Sequence, residues 1–199
     1  MKKVLSSLLI LACVFAVLTA CNGGGASAGL IEDGEKLYFV TAGGAVVIEN
    51  GKASPASAPS GTPASKTFDA PDTTEDYFVY KEVAGKINIT GLTDKGKAQS
   101  VIILPKTVNG KEVAMVSVGA FEGLDSLIIA APKSSVVISD NAFRGVKNVY
   151  LAAKPDALGV GANLFSDTSD VKVYVCADEY DNYKTHYNWG AHSGKLTKY

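Results

Sequence analysis

Cysteine, histidine and basic charge are all scarce in this 199-residue chain, and each scarcity closes off a class of chemistry. Three cysteines, Cys13, Cys21 and Cys176, are too few for a disulfide framework. Cys176, His186 and His192 are separated by ten and six residues, which matches no usual zinc-ligand spacing, and a fourth ligand is not evident. Nineteen basic residues face twenty acidic ones, with no polybasic stripe, so nucleic acid is not an expected partner. Nor is there a long apolar run. Val4 to Leu18 is 15 residues, short of the roughly 20 that a spanning helix needs.

Catalytic motifs are equally sparse. Gly25-Ala26-Ser27-Ala28-Gly29 spells G-x-S-x-G, but a nucleophile elbow needs a strand before it and a helix after it. Here it lies among Gly, Ala, Ser and Asn residues. Gly91-Leu92-Thr93-Asp94-Lys95-Gly96-Lys97 approaches a P-loop, yet Ala98 follows where a magnesium-bound hydroxyl is required, so a turn is expected. Asp69, Asp72, Glu75 and Asp76 border a proline-rich stretch and read as solvation. Asn88-Ile89-Thr90 fits a glycosylation triplet but reads as part of a strand. No acid, base, nucleophile and metal-ligand set stands at workable spacing. The expectation is therefore a protein that is not an enzyme, with no catalytic residue, metal site, cofactor or small-molecule substrate.

What the chain does have begins at its N-terminus. Lys2 and Lys3 followed by the apolar run to Ala20 read as the n- and h-regions of a secretory signal. Leu18-Thr19-Ala20-Cys21 resembles the bacterial lipobox. That resemblance implies removal of residues 1–20 as a signal peptide and lipidation of Cys21 by a diacylglyceryl group. Lys2 and Lys3 leave with the signal, so 17 basic residues face 20 acidic ones, a balance of −3. Cys13 leaves too and Cys21 is acylated, so Cys176 has no partner for an intramolecular disulfide. The implied location is the cell envelope, held to a membrane by lipid. Asn22 follows the cysteine in place of the aspartate that retains some lipoproteins at the inner membrane, which favours the outer membrane or cell surface.

Beyond the anchor the chain divides by composition. Residues 21–29 are the lipidated cysteine and a flexible tether. Residues 30–52 read as a small β-hairpin-like element, Leu37-Tyr38-Phe39-Val40 and Val46-Val47-Ile48 about a turn at Gly43-Gly44. Residues 53–76, with Pro55, Pro59, Pro63 and Pro71, read as an extended linker. Residues 77–199 form the main folded domain.

That domain repeats itself. Phe121, Phe143 and Phe165 are 22 residues apart, in Gly119-Ala120-Phe121-Glu122-Gly123, Asn141-Ala142-Phe143-Arg144-Gly145 and Asn163-Leu164-Phe165-Ser166-Asp167. Three residues after each Phe come Leu124-x-x-Leu127-x-Ile129, Val146-x-x-Val149-x-Leu151 and Thr168-x-x-Val171-x-Val173. Val116, Ile138 and Val160 precede each Phe by five. The strand Ile102 to Leu104 joins the series if a three-residue insertion is allowed, with Asn109-Gly110-Lys111 as the turn that holds it. A unit this small cannot enclose its own apolar face, so like positions are expected to stack on like.

The pattern L-x-x-L-x-L with an Ala-Phe pair resembles the BspA-type (treponemal) leucine-rich repeat along residues 77–190. Ile89-Thr90-Gly91-Leu92 resembles the family's opening strand, and Leu104-Pro105-Lys106-Thr107-Val108-Asn109-Gly110-Lys111-Glu112-Val113 its first repeat. Val173-Tyr174-Val175 followed by Tyr183-Lys184 and Trp189 resembles its closing unit, although Cys176 stands where proline is usual. Pro132, three residues after Ile129 where Pro105 follows Leu104 directly, reshapes the second turn. The implied fold class is a β-rich solenoid: a short stack of about four units of ~22 residues with capped ends. Tyr77–Leu92 is the candidate N-cap, and the tail with Tyr180, Tyr183, Tyr187 and Trp189 the candidate C-cap or, alternatively, an aromatic binding platform.

The family implies a surface or secreted protein that binds host proteins or other cells. On this reading the solvent-facing positions between core residues carry the contact: Asp125, Ser126 and Ile128; Lys147, Asn148 and Tyr150; Ser169, Asp170 and Lys172. Stacked, they form the columns Asp-Lys-Ser, Ser-Asn-Asp and Ile-Tyr-Lys. The expected function is a membrane-anchored lipoprotein whose repeat domain mediates protein–protein binding or adhesion. The alternative is a periplasmic structural or scaffold lipoprotein without an extracellular ligand.

Overall fold

The computed structural model describes residues 30–33, 36–41, 44–49, 52–57, 72–73, 76–168 and 170–199. The described residues form three sheets. The first is an antiparallel meander of four strands, β1 (Leu30–Asp33), β2 (Lys36–Thr41), β3 (Gly44–Glu49) and β4 (Lys52–Ala56), in that order. The hairpin-like element is thus half of a four-stranded sheet, and it runs past residue 52 into the expected linker. Pro55 sits in β4, an edge strand, where a missing N–H costs no sheet hydrogen bond.

The second sheet has seven strands. β5 (Asp72–Thr73) pairs with β9 (Thr107–Val108), and β6 (Phe78–Val83) pairs with β7 (Lys86–Leu92). β9 also joins β10 (Lys111–Val116), which continues through β12 (Val136–Ile138) to β14 (Leu158–Val160). The third sheet is wholly parallel and has five strands: β8 (Val101–Ile103), β11 (Ser126–Ile129), β13 (Asn148–Leu151), β15 (Lys172–Val175) and β16 (Leu196–Lys198). Among the described residues helix is confined to α1 (Asp94–Lys97), α2 (Tyr180–Thr185) and two 3₁₀ segments, Pro155–Ala157 and Trp189–Lys195.

The architecture corrects the expected β-rich solenoid. The chain is a mixed α/β fold of three sheets with antiparallel and parallel pairing and few helices. A uniform stack of four like units has no place for the meander β1–β4, for the antiparallel pairs β6–β7 and β9–β10, or for the helical C-terminus. The two hairpins have a local cause. Ala84-Gly85 (φ 50° and 77°) and Asn109-Gly110 (φ 51° and 79°) hold consecutive left-handed residues, the backbone that tight hairpin turns demand.

The 22-residue period governs strand register. Leu127 pairs with Val149 and Ile129 with Leu151, while Met115 pairs with Val137 and Val116 with Ile138. Ile102 pairs with Leu127, an offset of 25 that includes the three-residue insertion. The last step breaks the period. Val149 faces Val173 and Leu151 faces Val175, an offset of 24, because two more residues intervene before β15. Val171, expected opposite Val149, lies outside the strand but is still buried.

The main core lies between the second and third sheets. It holds Leu127, Val149, Val173, Ile129 and Leu151 from one side, Ile89, Val116, Ile138 and Leu158 from the other, and Phe121 and Phe143 from the turns. Phe165 packs against this cluster only partly buried. A second apolar layer lies between the third sheet and the meander. Strands of the third sheet therefore bury both faces, which explains why Ser126, Leu127, Ile128 and Ile129 are all inaccessible.

Candidate functional site

The third sheet's two faces follow from its alternation. Leu127, Ile129, Val149 and Leu151 enter the main core, which sends Ile128, Ala130, Tyr150 and Ala152 the other way. In sequence this second set reads as solvent-facing. The structure instead covers it with Val46, Ile48 and Ala53 of the meander. Ile128 is 0% exposed and Tyr150 1% exposed. The Tyr150 hydroxyl donates to the Ala53 carbonyl at 3.0 Å. Its ring stacks on Tyr174 with centroids 4.9 Å apart and planes 11° from parallel, and meets Tyr199 edge-on at 6.2 Å. Burial, then the Tyr174 phenol and the Asp125 carboxylate, push the Tyr150 phenol well above the ordinary tyrosine value of 10.0.

The columns also shift with the register. Ser126, Asn148 and Lys172 form one row, and Ile128, Tyr150 and Tyr174 the next. Lys172 therefore does not follow Tyr150, and Ile128 and Tyr150 offer no solvent-facing contact. Ser126 is buried and donates to Asp125. Exposed Lys147 lies 3.0 Å from Asp125. Hydrogen bonding to Lys147 lowers the Asp125 carboxyl below its ordinary 3.8, with burial opposing and Ser126 reinforcing the shift. Asn148 is half-buried, while Asp170 and Lys172 are exposed. Ser169, Cys21, the tether and residues 58–71 lie outside the described residues.

The outer face of the second sheet has the opposite character. Among the described residues seven large apolar side chains are exposed, and six of them, Val79, Tyr80, Val83, Met115, Val118 and Val137, lie on β6, β10 and β12 or just beyond β10. Asn88, Met115 and Val137 are register partners across β7, β10 and β12, with Lys81 of β6 beyond Asn88. At the start of β10, Glu112 holds Lys133 at 3.2 Å and Lys86 at 3.3 Å and accepts from Ser134 at 3.2 Å. Hydrogen bonds from Lys133, then Lys86, lower its carboxyl below 4.5. Lys111 of the same strand pairs with Glu82 of β6. The outer face thus carries the exposed pair Met115 and Val137, continued across the sheet by Asn88 and Lys81 and flanked by the Glu112 ion pairs, whereas Tyr80 and Glu82 share the face of their core partners Ile89 and Ile87. Sequence reasoning passed over this face. The available signal was Met115 at the outward position beside Val116, 22 residues before Val137.

The aromatic tail packs against the β14 end of the second sheet. Tyr183, His186, Trp189 and His192 recur every three residues, and each bonds a group 30 or 31 residues earlier. Tyr183 donates to the Ala153 carbonyl at 2.9 Å, and the Trp189 indole to the Leu158 carbonyl at 2.9 Å. His192 Nε2 meets the Gly161 carbonyl at 2.9 Å, and His186 Nε2 meets Asp156 at 3.1 Å. His186 Nδ1 takes the N–H groups of Asn188 and Trp189, which assigns the neutral ring's proton to Nε2. Of these acceptors the Leu158 carbonyl belongs to β14, the edge strand of the second sheet, so the Trp189 indole takes a bond that another strand would have taken. Cys176 lies apart from both histidines, in the layer beneath the meander. Among the described residues no three His, Cys, Asp or Glu side chains are grouped to hold a metal ion.

Two remaining features are structural. A cleft of about 420 Å³ beside α2 is lined by Lys154, Asp156, Glu179, Asn182 and His186, but Glu179 is bound by Asn182 at 2.8 Å and His186 by Asp156. The P-loop-like stretch is the cap and first turn of α1, with the Thr93 hydroxyl accepting from the Gly96 N–H at 3.1 Å. Gly96 packs so closely on the Tyr77 carbonyl that a Cβ would stand 2.2 Å from its oxygen. That glycine serves backbone approach, not phosphate.

No family model matches the chain, and no curated protein or solved structure matches it.

Proposed function

We propose that this is a cell-envelope lipoprotein, held to a membrane through Cys21, whose folded domain binds another protein through the outer face of β6, β7, β10 and β12. The observation that carries the reading is the exposed pair Met115 and Val137 on the outer face of the second sheet, with Val83 exposed on the same face of β6, while every comparable side chain of the third sheet's outer face is at least partly covered. Well-packed domains leave isolated apolar residues on their surface, and two that are exposed as register partners on neighbouring strands, Met115 and Val137, need an explanation. The lipobox-like Leu18-Thr19-Ala20-Cys21 supports the anchor, and the resemblance of the Phe121 and Phe143 segments to BspA-type repeats supports a protein partner.

Co-purification from detergent-solubilised envelopes tests the reading. Replacing Met115 and Val137 together by Asp, on a face already exposed, leaves the fold intact and abolishes recovery of the partner. Equal recovery by the double variant and the parent overturns the assignment of this face.

A further inference from the structure

The meander β1–β4 is joined to the rest of the molecule differently from any other part. Among the described residues, no strand of it pairs with a strand of the other two sheets. Its ladders are internal, β1 to β2, β2 to β3 and β3 to β4. Among the described residues its hold on the third sheet is made of side chains, with Val46, Ile48 and Ala53 in one apolar layer with Val101, Ile128, Ala130, Tyr150, Ala152 and Cys176, and of the Tyr150-to-Ala53 hydrogen bond across the seam. Coverage is also incomplete, since Ile103 and Tyr174 stay partly exposed at its margin. The main core lies on the opposite face of β11, β13 and β15 and uses none of these residues.

We propose that β1–β4 is a displaceable cover, and that its release uncovers a second apolar face centred on the row Ile128, Tyr150 and Tyr174. Three features make release possible as a unit. The cover is one continuous segment at the N-terminal side of the domain, so it can leave without threading or breaking any ladder of the other sheets. Side-chain packing and the Tyr150-to-Ala53 bond, with no shared ladder among the described residues, hold it to the third sheet, so it opens as one low-stability unit. The face it leaves is already ordered, because Tyr150 and Tyr174 stack on each other and stand on strands fixed by the main core. Opening also leaves the Tyr150 hydroxyl and an aromatic ledge ready for a new strand carbonyl, the group that Ala53 supplies in the closed form. The proposal depends neither on the anchor nor on the partner discussed above.

Cys176 is the built-in reporter, fully buried in the covered layer. The rate at which a water-soluble maleimide labels it in the full chain, with the modified peptide identified by mass, reads the open population. Trp189, the sole tryptophan and buried in the main core, reports separately on the domain as a whole through its fluorescence. Ile48→Asp in the cover is expected to speed labelling of Cys176 at least tenfold. Tyr150→Phe, which removes only the bond to Ala53, speeds it roughly fivefold, the effect of losing one net hydrogen bond on an opening equilibrium. In both variants Trp189 fluorescence stays native. Labelling that is unchanged in Tyr150→Phe, or that rises in either variant only as the Trp189 signal is lost, overturns the proposal and makes the meander an integral layer of the fold.

Discussion

The indole N–H of Trp189 donates to the carbonyl of Leu158 at 2.9 Å, and that bond closes the free edge of β14. The ring is fully buried and meets Tyr183 edge-on at 5.1 Å. Trp189→Phe keeps most of the apolar contact but orphans a buried carbonyl. A cost of about 1–3 kcal/mol follows, read as a lower urea midpoint with unchanged slope. A loss below a few tenths of a kcal/mol would mean that the tail is an ornament and not a cap.

Phe143 and Phe165 occupy like positions in the sequence and unlike ones in the structure. Phe143 is fully enclosed, whereas Phe165 packs at the margin against Phe143 and His192. Phe143→Ala is therefore expected to cost about 3–5 kcal/mol. Phe165→Ala costs clearly less, and equal losses in denaturation would contradict the placement.

How far these features could be read from residues alone differs along the chain. The phenylalanine spacing and the L-x-x-L-x-L pattern report pairing register directly, because parallel neighbours must present like residues at like positions. They fail at Val171, where two additional residues reset the offset and no change of composition marks the slip. Alternation also places Ile128 and Tyr150 opposite Leu127 correctly in direction, but it cannot tell solvent from a second sheet. The cover itself is poorly written: β1 carries Glu32 and Asp33, and β4 is Lys-Ala-Ser-Pro-Ala, both weak strand formers whose pairing is imposed by β2 and β3. The uncovered face of β10 and β12 was hidden by a different cause. Single exposed apolar residues are ordinary, and only the pairing of Met115 with Val137 turns them into a row.

Stability should fall in alkali before the fold titrates. Tyr150 and Tyr183 both have phenols raised above 10.0, each chiefly by burial. A raised value means that the native state holds the proton longer than the unfolded chain does. The stabilisation is complete below pH 10 and is lost as pH rises beyond it. Absorbance titration at the phenolate band should show Tyr183 ionising only with unfolding and Tyr150 ionising late, on release of the meander, and Tyr150→Phe should remove one of the late groups. On the acid side Asp125 has the opposite sign. Its contribution is present above 3.8 and is lost as pH falls below it, and Lys147→Met should bring its titration back toward that value.

The anchor makes its own prediction. Cys21→Ala should move the protein from the membrane fraction to the soluble fraction of fractionated cells while leaving the Trp189 fluorescence unchanged. On unbroken cells, loss of the parent protein to added protease goes with a partner outside the cell. Protection goes with the periplasmic scaffold.

The most direct test of the binding assignment is photo-crosslinking in living cells from a single reactive side chain placed at Val137 or at Lys172. Both positions are exposed, so neither replacement disturbs the core. A discrete protein adduct is expected from Val137, lost when Met115 is changed to Asp, and none from Lys172. An adduct from Lys172 with none from Val137 would contradict it and return the contact to the third sheet.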